Sequence, residues 1–329
     1  MTSLYRQILK KSWHITKRFK YLWPLGLFAA FLGNGGEYQI LFNQSQNVAQ
    51  QTSIIEAWTN NLNALMPNLN FSAHNVFFLI LNLLVAAIIF LFFLWLTISA
   101  FGGLIKGANN ADKDERSSFS QLLKEGGVRF FPLLGVNVVA KAIVYGIIVL
   151  IITPLMLATF AQHNDTLNLL IILITFIIFI PLVIIVSLAT KYASAYIMLE
   201  KEKCWPAFKK GWKLFFQNWL ISLEMAFIVF IINIVVSLVF VLISLIIFSP
   251  FFFFGIIYTI QFPALFNVLI YIAIALLLVA SAIVGSLLAT FQISSWTLLF
   301  NKLNGNSKTY SKIVRWVAGF PDKMKKKEA

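Results

Sequence analysis

The sequence predicts an all-α, polytopic membrane protein with six transmembrane helices and with amphipathic interfacial helices on its cytoplasmic face. Hydrophobic residues make up 60% of the 329 residues, charged residues only 12%, and the mean hydropathy is +0.84. Soluble domains carry about twice that share of charge. Several apolar runs exceed about 18 residues, enough to cross a hydrocarbon core about 30 Å thick. We therefore expect one transmembrane domain over residues 1–300 and a basic cytoplasmic tail over 301–329.

The placement of the positive charge predicts the topology of the chain. The net charge is +14, and 24 of the 26 lysines and arginines lie in residues 1–20, 106–129, 201–213 and 302–327. No lysine or arginine occurs in the segments 34–75, 161–168 and 248–266. By the positive-inside rule, both termini lie in the cytoplasm and the protein belongs in the plasma membrane. The basic residues are expected to contact anionic lipid rather than nucleic acid.

Residues 3–20 are predicted to form the first amphipathic helix. At about 100° per residue, one arc of this helix carries the apolar side chains of Tyr5, Ile8, Ile15 and Trp13. The opposite arc carries the basic side chains of Lys10, Lys11, Lys17 and Arg18. Such a helix lies in the interface of the bilayer. A cleaved signal peptide is the alternative, because basic residues here precede an apolar run that ends near Ala29.

Six apolar segments are predicted to span the membrane, at 21–33, 76–105, 130–160, 169–199, 219–248 and 267–300. The first is short, and Pro24 sits near its start, where a missing N–H costs little. Pro181 interrupts the fourth span, and Pro250 and Pro263 mark an apolar outer turn after the fifth. In the long outer segment before the second span, residues 48–65 could form a helix along the outer face.

Two more amphipathic helices are predicted, each leading directly into a span. Ser118 is placed to cap the first, whose apolar face is Phe119, Leu122, Leu123 and Phe130. The second covers residues 205–218. Its aromatic arc includes Trp212 and ends at Trp219, and its basic arc holds Lys209, Lys210 and Lys213. In the tail, a short segment around Trp316 precedes a lysine cluster.

The segments 1–105, 106–199 and 200–300 share one order of elements. Each has a basic interfacial helix, a span, an outer connection and a second span, and KKSW at Lys10–Trp13 matches KKGW at Lys209–Trp212. Two spans in each unit leave all units in the same orientation. The sequence therefore indicates a threefold repeat of helical hairpins. The alternative is that interfacial aromatics and inside lysines recur in any membrane protein.

Six polar residues within spans form a candidate intramembrane polar site: Lys141, Lys191, Glu224, Asn82, Asn137 and Asn233. Charges inside a membrane are costly and suggest function, here a pairing of Glu224 with one of the lysines. The alternative is that the charged groups reach the membrane surface and that the asparagines bond between helices.

The sequence contains no pattern of residues that predicts catalysis or a bound metal. The three histidines, His14, His74 and His163, lack metal-ligand spacing, and the single cysteine, Cys204, excludes an internal disulfide. No HExxH, GxSxG or phosphate-binding GxxxxGK[ST] motif occurs. We expect a protein that is not an enzyme and has neither a cofactor nor a metal.

Four stretches suggest a family: KKSWHITKRFKYLWPLG, GGLIKGANNADKDERSSFSQLLKEGGVRFFPLL, ATKYASAYIMLEKEK and AFKKGWKLFFQNWL. Together they resemble uncharacterised bacterial six-span proteins related to the membrane domain of some glycerophosphoryl diester phosphodiesterases. In the full-length phosphodiesterases, catalysis belongs to a separate soluble barrel domain. Nothing in this chain matches that barrel, so the resemblance implies a bacterial membrane protein and carries over no activity.

Two functions are compatible with these observations. The first is an accessory or lipid-interacting protein that contacts membrane lipid through its basic, aromatic inner surface. The candidate residues are Lys10, Lys11, Trp13, Lys17, Arg18, Lys209, Lys210, Trp212, Lys213 and Trp219. The second is a transporter or channel with a polar path near Lys141, Lys191 and Glu224. A protein partner and a second copy of the chain are both left open.

Overall fold

A computed structural model describes residues 4–32, 73–161, 165–259 and 263–305 of the chain. A 3-10 turn over Lys20–Leu22 joins the first two helices. The α-helices are α1 (Leu4–Arg18), α2 (Trp23–Ala30), α3 (Ala73–Asp112), α4 (Phe119–Val128), α5 (Phe130–Ala161), α6 (Asp165–Leu199), α7 (Cys204–Gln217), α8 (Trp219–Thr259) and α9 (Pro263–Asn304).

Five of the described helices are long and apolar enough to cross a membrane, judged by length and composition. The segments concerned are Ile80–Asp112, Phe130–Leu150, Ile177–Leu199, Trp219–Phe254 and Val268–Asn304. They expose many large apolar side chains, such as Leu84, Phe90 and Leu238. Exposed apolar surface on this scale marks a face that contacts lipid. The fold is therefore that of an all-helical, multi-pass membrane protein.

Within the described residues, the predicted first span is represented by the short helix α2. Its eight residues rise about 12 Å, less than the thickness of a bilayer core. It packs closely on α9, since a Cβ added at Gly26 would overlap Thr290 Oγ1. The Ser286 hydroxyl also donates a hydrogen bond to the Trp23 carbonyl. The predicted outer helix over 48–65 and the tail beyond 305 lie outside the described residues.

Two helices continue beyond the predicted ends of their spans. The second span was expected to end at residue 105, but α3 continues to Asp112. The outer turn was expected around Pro250, but α8 runs through this proline to Thr259. Likewise α6 continues through Pro181. The physical reason is that a lipid-facing backbone has no water to bond with, so the helix persists where proline removes one N–H donor.

The chain divides into two compact units. The first comprises Met1–Leu32, Thr97–Ala140 and Ile185–Ala329. It contains α1, α2, α4, α7, α8 and α9, together with the N-terminal part of α5 and the C-terminal ends of α3 and α6. The second comprises Gly33–Leu96 and Lys141–Ile184, and its described part consists of helical stretches of α3, α5 and α6. The residues discussed below belong to the first unit unless stated otherwise.

Each of the short helices α1, α4 and α7 packs on a long helix of the first unit through small or aromatic residues. On α4, a Cβ at Gly126 would overlap the Ser99 carbonyl oxygen of α3. On α7, a Cβ at Gly211 would lie 2.6 Å from the Ala193 nitrogen of α6. Glycine permits these close approaches because it has no side chain. On α1, the Trp13 ring meets the Phe291 ring of α9 edge to face at 6.3 Å.

The short helices α4 and α7 join the long helices that follow them in the same way. A single residue breaks the helix at each junction, Arg129 between α4 and α5 and Asn218 between α7 and α8. The carbonyl of that residue then starts the next helix, accepting from the Leu133 N–H at 3.1 Å in one case and from the Ser222 N–H at 3.0 Å in the other. The chain therefore turns from short helix to long helix without a loop.

Most of the apolar arc of α1 is buried in the protein instead of facing lipid. Tyr5, Ile8 and Ile15 each expose 4% or less of their surface, whereas Trp13 is about half exposed. Along the opposite side, Lys10, Lys11, Lys17 and Arg18 are exposed. The neighbour that packs against α1 is α9.

Candidate functional site

Four aromatic side chains form a continuous stack along one face of α7. Trp205, Phe208, Trp212 and Phe216 are spaced three or four residues apart, so they lie on the same face of the helix. Successive ring centroids are 6.1, 5.9 and 5.4 Å apart. We call these four residues the aromatic ladder. Trp205 and Phe216 are about half exposed, as is Trp219 just beyond the ladder.

The three lysines of α7 have different surroundings. Lys209 Nζ lies 5.5 Å from the centroid of the Trp205 ring, a cation–π contact at the N-terminal end of the ladder. Lys213 is exposed one turn further along. Lys210 donates a hydrogen bond to Glu202 at 2.6 Å and lies 3.6 Å from Glu200. The hydrogen bond to Glu202 raises the pKa of Lys210 above its usual value.

Hydrogen bonds and an ion pair connect the C-terminal ends of α6 and α9 to α7. Asn304 donates to Glu200 at 2.6 Å and accepts a hydrogen bond from the Tyr196 hydroxyl at 2.9 Å. Lys210 Nζ lies 5.7 Å from the Tyr196 ring centroid and pairs with Glu200. Lys210 therefore serves to hold these helices together, and Lys209 and Lys213 are the lysines of α7 that face outward.

Three basic residues of α1 have partners of two different kinds. Lys11 pairs with Asp112 at 2.5 Å, and Arg18 pairs with Asp114 at 2.9 Å, just after the end of α3. These two cations attach α1 to the C-terminal end of α3. Lys17 instead lies 5.9 Å from the ring of Trp13, which is about half exposed.

A groove of about 670 Å³ runs between α1, α8 and α9. Its basic side consists of Arg6 and Lys10, one turn apart on α1. Its apolar wall consists of Leu9, Ile228 and Phe291, and Tyr5 and Trp13 complete the lining. At the Tyr5 side, the tyrosine hydroxyl donates a hydrogen bond to Glu224 of α8.

Four of the six predicted intramembrane polar residues contact partners outside that set. Glu224 accepts from Tyr5, as described above. Asn233 accepts a hydrogen bond of 2.5 Å from Gln292, which joins α8 to α9. Lys191 Nζ lies 4.5 Å from the Trp296 ring centroid. Asn137 donates to the Leu133 carbonyl of its own helix at 2.8 Å.

The other two intramembrane candidates lie in the second unit. Asn82 is exposed on α3, and Lys141 is partly exposed on α5. Each of them has an interaction with other groups of the protein. A polar transport path near these residues stays a prediction.

The part of the chain that the structure describes contains no group of three or more His, Cys, Asp or Glu residues able to hold a metal ion. Cys204 is partly exposed at the start of α7, and its sulfur would lie 2.9 Å from a Cβ added at Gly135. Burial raises the pKa of the Cys204 thiol, which disfavours the reactive thiolate.

Sequence reasoning missed the acidic partners of α1 and the groove. Asp112 and Asp114 were visible as acids near Lys113 and Arg116 in an otherwise basic loop, so opposite charge was the available signal. Their actual partners, Lys11 and Arg18, lie about a hundred residues away in the chain. The groove brings together three helices and has no signal in any one segment.

The family model of a domain of unknown function, DUF7847, matches residues 62–299. The chain belongs to the DUF7847 family. The matched segment includes all of α3 to α8 and most of α9, and α1 and α2 precede it. The DUF7847 description assigns no activity. Comparisons with curated proteins and with solved structures gave no match. The resemblance to the phosphodiesterase membrane domain stays a prediction.

Proposed function

We propose that this DUF7847 protein is a non-enzymatic protein of the bacterial cytoplasmic membrane that binds anionic phospholipid through a basic, aromatic surface on its cytoplasmic face. In this role it senses or handles lipid, or supports a partner protein. The observation that carries the proposal is the half-exposed aromatic ladder of α7 with Lys209 and Lys213 beside it. Trp13 and Lys17 of α1 form a second, smaller pair of the same kind.

Elementary membrane physics explains why this surface suits lipid. Tryptophan rings favour the level of the head groups, where their apolar body and polar N–H are both satisfied. A lysine near an anionic bilayer surface contributes about 1 kcal/mol of attraction. The ladder and the lysines beside it therefore present both aromatic rings and positive charges just before the apolar helix α8.

Contacts around α1 support the proposed six membrane crossings. The ion pairs of Lys11 and Arg18 attach α1 to the C-terminal end of α3. The 40 residues of α3 extend about 60 Å, so a crossing α3 has its start, Ala73, on the other side. The chain between residues 18 and 73 then has to cross as well, which would be the sixth span.

A contact at the end of α9 supports the proposal that both termini lie on one side. Asn301 of α9 donates a hydrogen bond of 3.0 Å to Asn109, near the same end of α3 to which α1 is attached. The basic residues concentrate at these helix ends, and the positive-inside rule favours the cytoplasm for that side.

We also propose the threefold repeat. The one-residue junctions at Arg129 and Asn218 are alike. The short helices α4 and α7 each lie on the last long helix of the preceding repeat, α3 and α6 respectively. For α1 that helix is α9, the second long helix of the third repeat.

The proposal is tested by removing the outward-facing lysines of α7. We expect Lys209→Gln with Lys213→Gln to lower the preference of the reconstituted protein for spin-labelled phosphatidylglycerol over phosphatidylcholine. At low ionic strength the loss is about fivefold per lysine, and salt reduces it because these charges are exposed. Electron paramagnetic resonance of the motionally restricted lipid measures this preference.

A charge-matched control separates a local site from a general charge effect. Arg116→Gln with Lys124→Gln removes the same two charges from exposed positions around α4. We expect it to leave most of the preference in place. An equal loss in both double variants, or no loss in the α7 variant, would contradict a lipid-binding role for the ladder.

A further inference from the structure

We propose that the groove between α1, α8 and α9 binds one anionic phospholipid, with its phosphate between Arg6 and Lys10 and one acyl chain along Ile228 and Phe291. This inference deepens the proposed function and rests on it. It assigns a single defined lipid site, separate from the aromatic ladder of α7.

The basic side of the groove suits a phosphate group. Arg6 and Lys10 are four residues apart on α1, so their side chains start about 6 Å from each other on the same face. Both are exposed. An arginine presents several N–H donors in a planar fork and a lysine adds a compact charge, a combination that matches the oxygens of a phosphodiester.

The apolar wall of the groove extends in the direction that an acyl chain would take. Ile228 lies nine residues beyond Trp219, which is about 14 Å along α8 from its start. Phe291 of α9 forms the opposite part of the wall and is 7% exposed. Beyond the groove, Phe227 and Phe230 of α8 are more than half exposed, so the apolar surface continues toward lipid.

Glu224, an acidic residue one turn before Ile228 on α8, is hydrogen-bonded within the protein. Glu224 accepts a hydrogen bond from Tyr5, and Tyr5 is itself buried. This bond fixes the tyrosine ring as part of the lining. Arg6 and Lys10 are the charged residues that line the groove, and both are cations. This charge favours an anionic ligand over a zwitterionic one.

A membrane lipid is favoured over a soluble anion by the nature of the lining. A free phosphate would use only Arg6 and Lys10 and would leave the wall of Leu9, Ile228 and Phe291 unfilled. A volume of about 670 Å³ is well above the need of a small anion. A head group with the first part of an acyl chain uses both the charges and the apolar wall.

The test is native mass spectrometry of the full chain in detergent, titrated with phosphatidylglycerol. We expect one tightly retained lipid in the unaltered protein and binding on the order of 30-fold weaker in Arg6→Gln with Lys10→Gln. Ile228→Trp, which fills the groove without changing charge, is expected to remove the same lipid. Phosphatidylcholine and inorganic phosphate are expected to bind far more weakly.

Matched controls keep the result specific. Ile231→Trp places the same bulk at an exposed position of α8 and should leave the lipid bound. Lys209→Gln with Lys213→Gln removes two charges from α7 and should also retain it. The proposal is overturned if Arg6→Gln with Lys10→Gln or Ile228→Trp binds as the unaltered protein does, or if phosphatidylcholine binds equally well.

The two lipid proposals fail in different ways. If the groove variants behave normally but the α7 variant loses its lipid preference, the groove assignment is wrong and the proposed function stands. If only the groove variants lose lipid, the function stands on the groove and the ladder assignment is wrong. If neither set has an effect, both are wrong.

Discussion

Individual basic residues have different roles, although the sequence presents them as one class. Lys11, Arg18 and Lys210 are paired with carboxylates, and Lys209 and Lys17 lie over tryptophan rings. Exposed ion pairs contribute little free energy of folding, but they fix where helix ends lie. A lysine that binds lipid has to face outward, so the pairing of Lys210 removes it from the proposed lipid surface.

We predict that Lys210→Gln lowers the melting temperature of the protein in detergent and that the effect depends on pH. The hydrogen bond to Glu202 raises the pKa of Lys210. A raised folded-state pKa gives stabilisation that is complete below the unfolded value of about 10.4 and is lost as the pH rises through the folded value. The difference in melting temperature should therefore be constant between about pH 6 and pH 9 and shrink only above about pH 10.5.

The control for this prediction is Lys209→Gln. It removes the same charge from the neighbouring position, where the partner is an aromatic ring and the residue is exposed. We expect its melting temperature to stay close to that of the unaltered protein. A difference for Lys210→Gln that already disappears near pH 8 would rule out the ion pair as its cause.

At the scale of elements, close packing of short helices on long ones organises the first unit. Gly126 and Gly211 bring the backbones of α4 and α7 against α3 and α6. In a membrane protein the hydrophobic effect does not distinguish helix from lipid, so contacts of this kind carry much of the association. The positions of α4 and α7 depend on the absence of a side chain at two residues.

We predict that Gly211→Ala destabilises the protein by about 1–3 kcal/mol, the usual effect of overpacking. The added Cβ would lie 2.6 Å from the Ala193 nitrogen and 2.8 Å from the Ala189 carbonyl oxygen. Both are backbone atoms, so α7 has to move away from α6. Thermal unfolding followed by size-exclusion chromatography in detergent measures the loss.

Gly285→Ala is the matched control on α9. A Cβ there meets nothing within 4 Å, and alanine is favoured over glycine inside a helix by about 0.5–1 kcal/mol. We expect this variant to be as stable as the unaltered protein or slightly more so. Equal destabilisation in the two variants would show that Gly211 is not a packing residue.

At the scale of the whole molecule, contacts between distant parts of the chain bear on how often it crosses the membrane. The ion pairs of α1 and the bond between Asn301 and Asn109 bring the N-terminal helix and the end of α9 to the same end of α3. An even number of crossings leaves both ends of a chain on one side, whereas five would separate them.

We predict that cysteines introduced at His14 and at Lys302, each in a Cys204→Ser background, react with a membrane-impermeant maleimide from the cytoplasmic side only. His14 and Lys302 are both exposed. A cysteine at Ser53, in the outer segment predicted from sequence, should react only from the opposite side. Labelling of inverted and right-side-out vesicles measures the orientation, and reaction of positions 14 and 302 from opposite sides would refute six crossings.

The sequence by itself determined the class of protein and the approximate position of most helices. Uncharged apolar runs and amphipathic periodicity are properties of single segments, which is why α7 was predicted at 205–218 and begins at Cys204 and ends at Gln217. The same holds for α5, predicted over 130–160 and found over Phe130–Ala161. The cost of burying an unbonded backbone makes these helices form wherever the segment is apolar enough.

Only the tertiary structure decided which polar groups meet. Tyr5 bonds to Glu224 and Lys11 pairs with Asp112, although these partners are separated by 219 and 101 positions in the chain. Most of the apolar arc of α1, predicted to face lipid, is instead buried in the protein, and the groove exists only because three helices come together. The physical reason is that lipid and protein interior are equally apolar, so hydropathy does not separate them and side-chain shape and hydrogen bonding decide the partner.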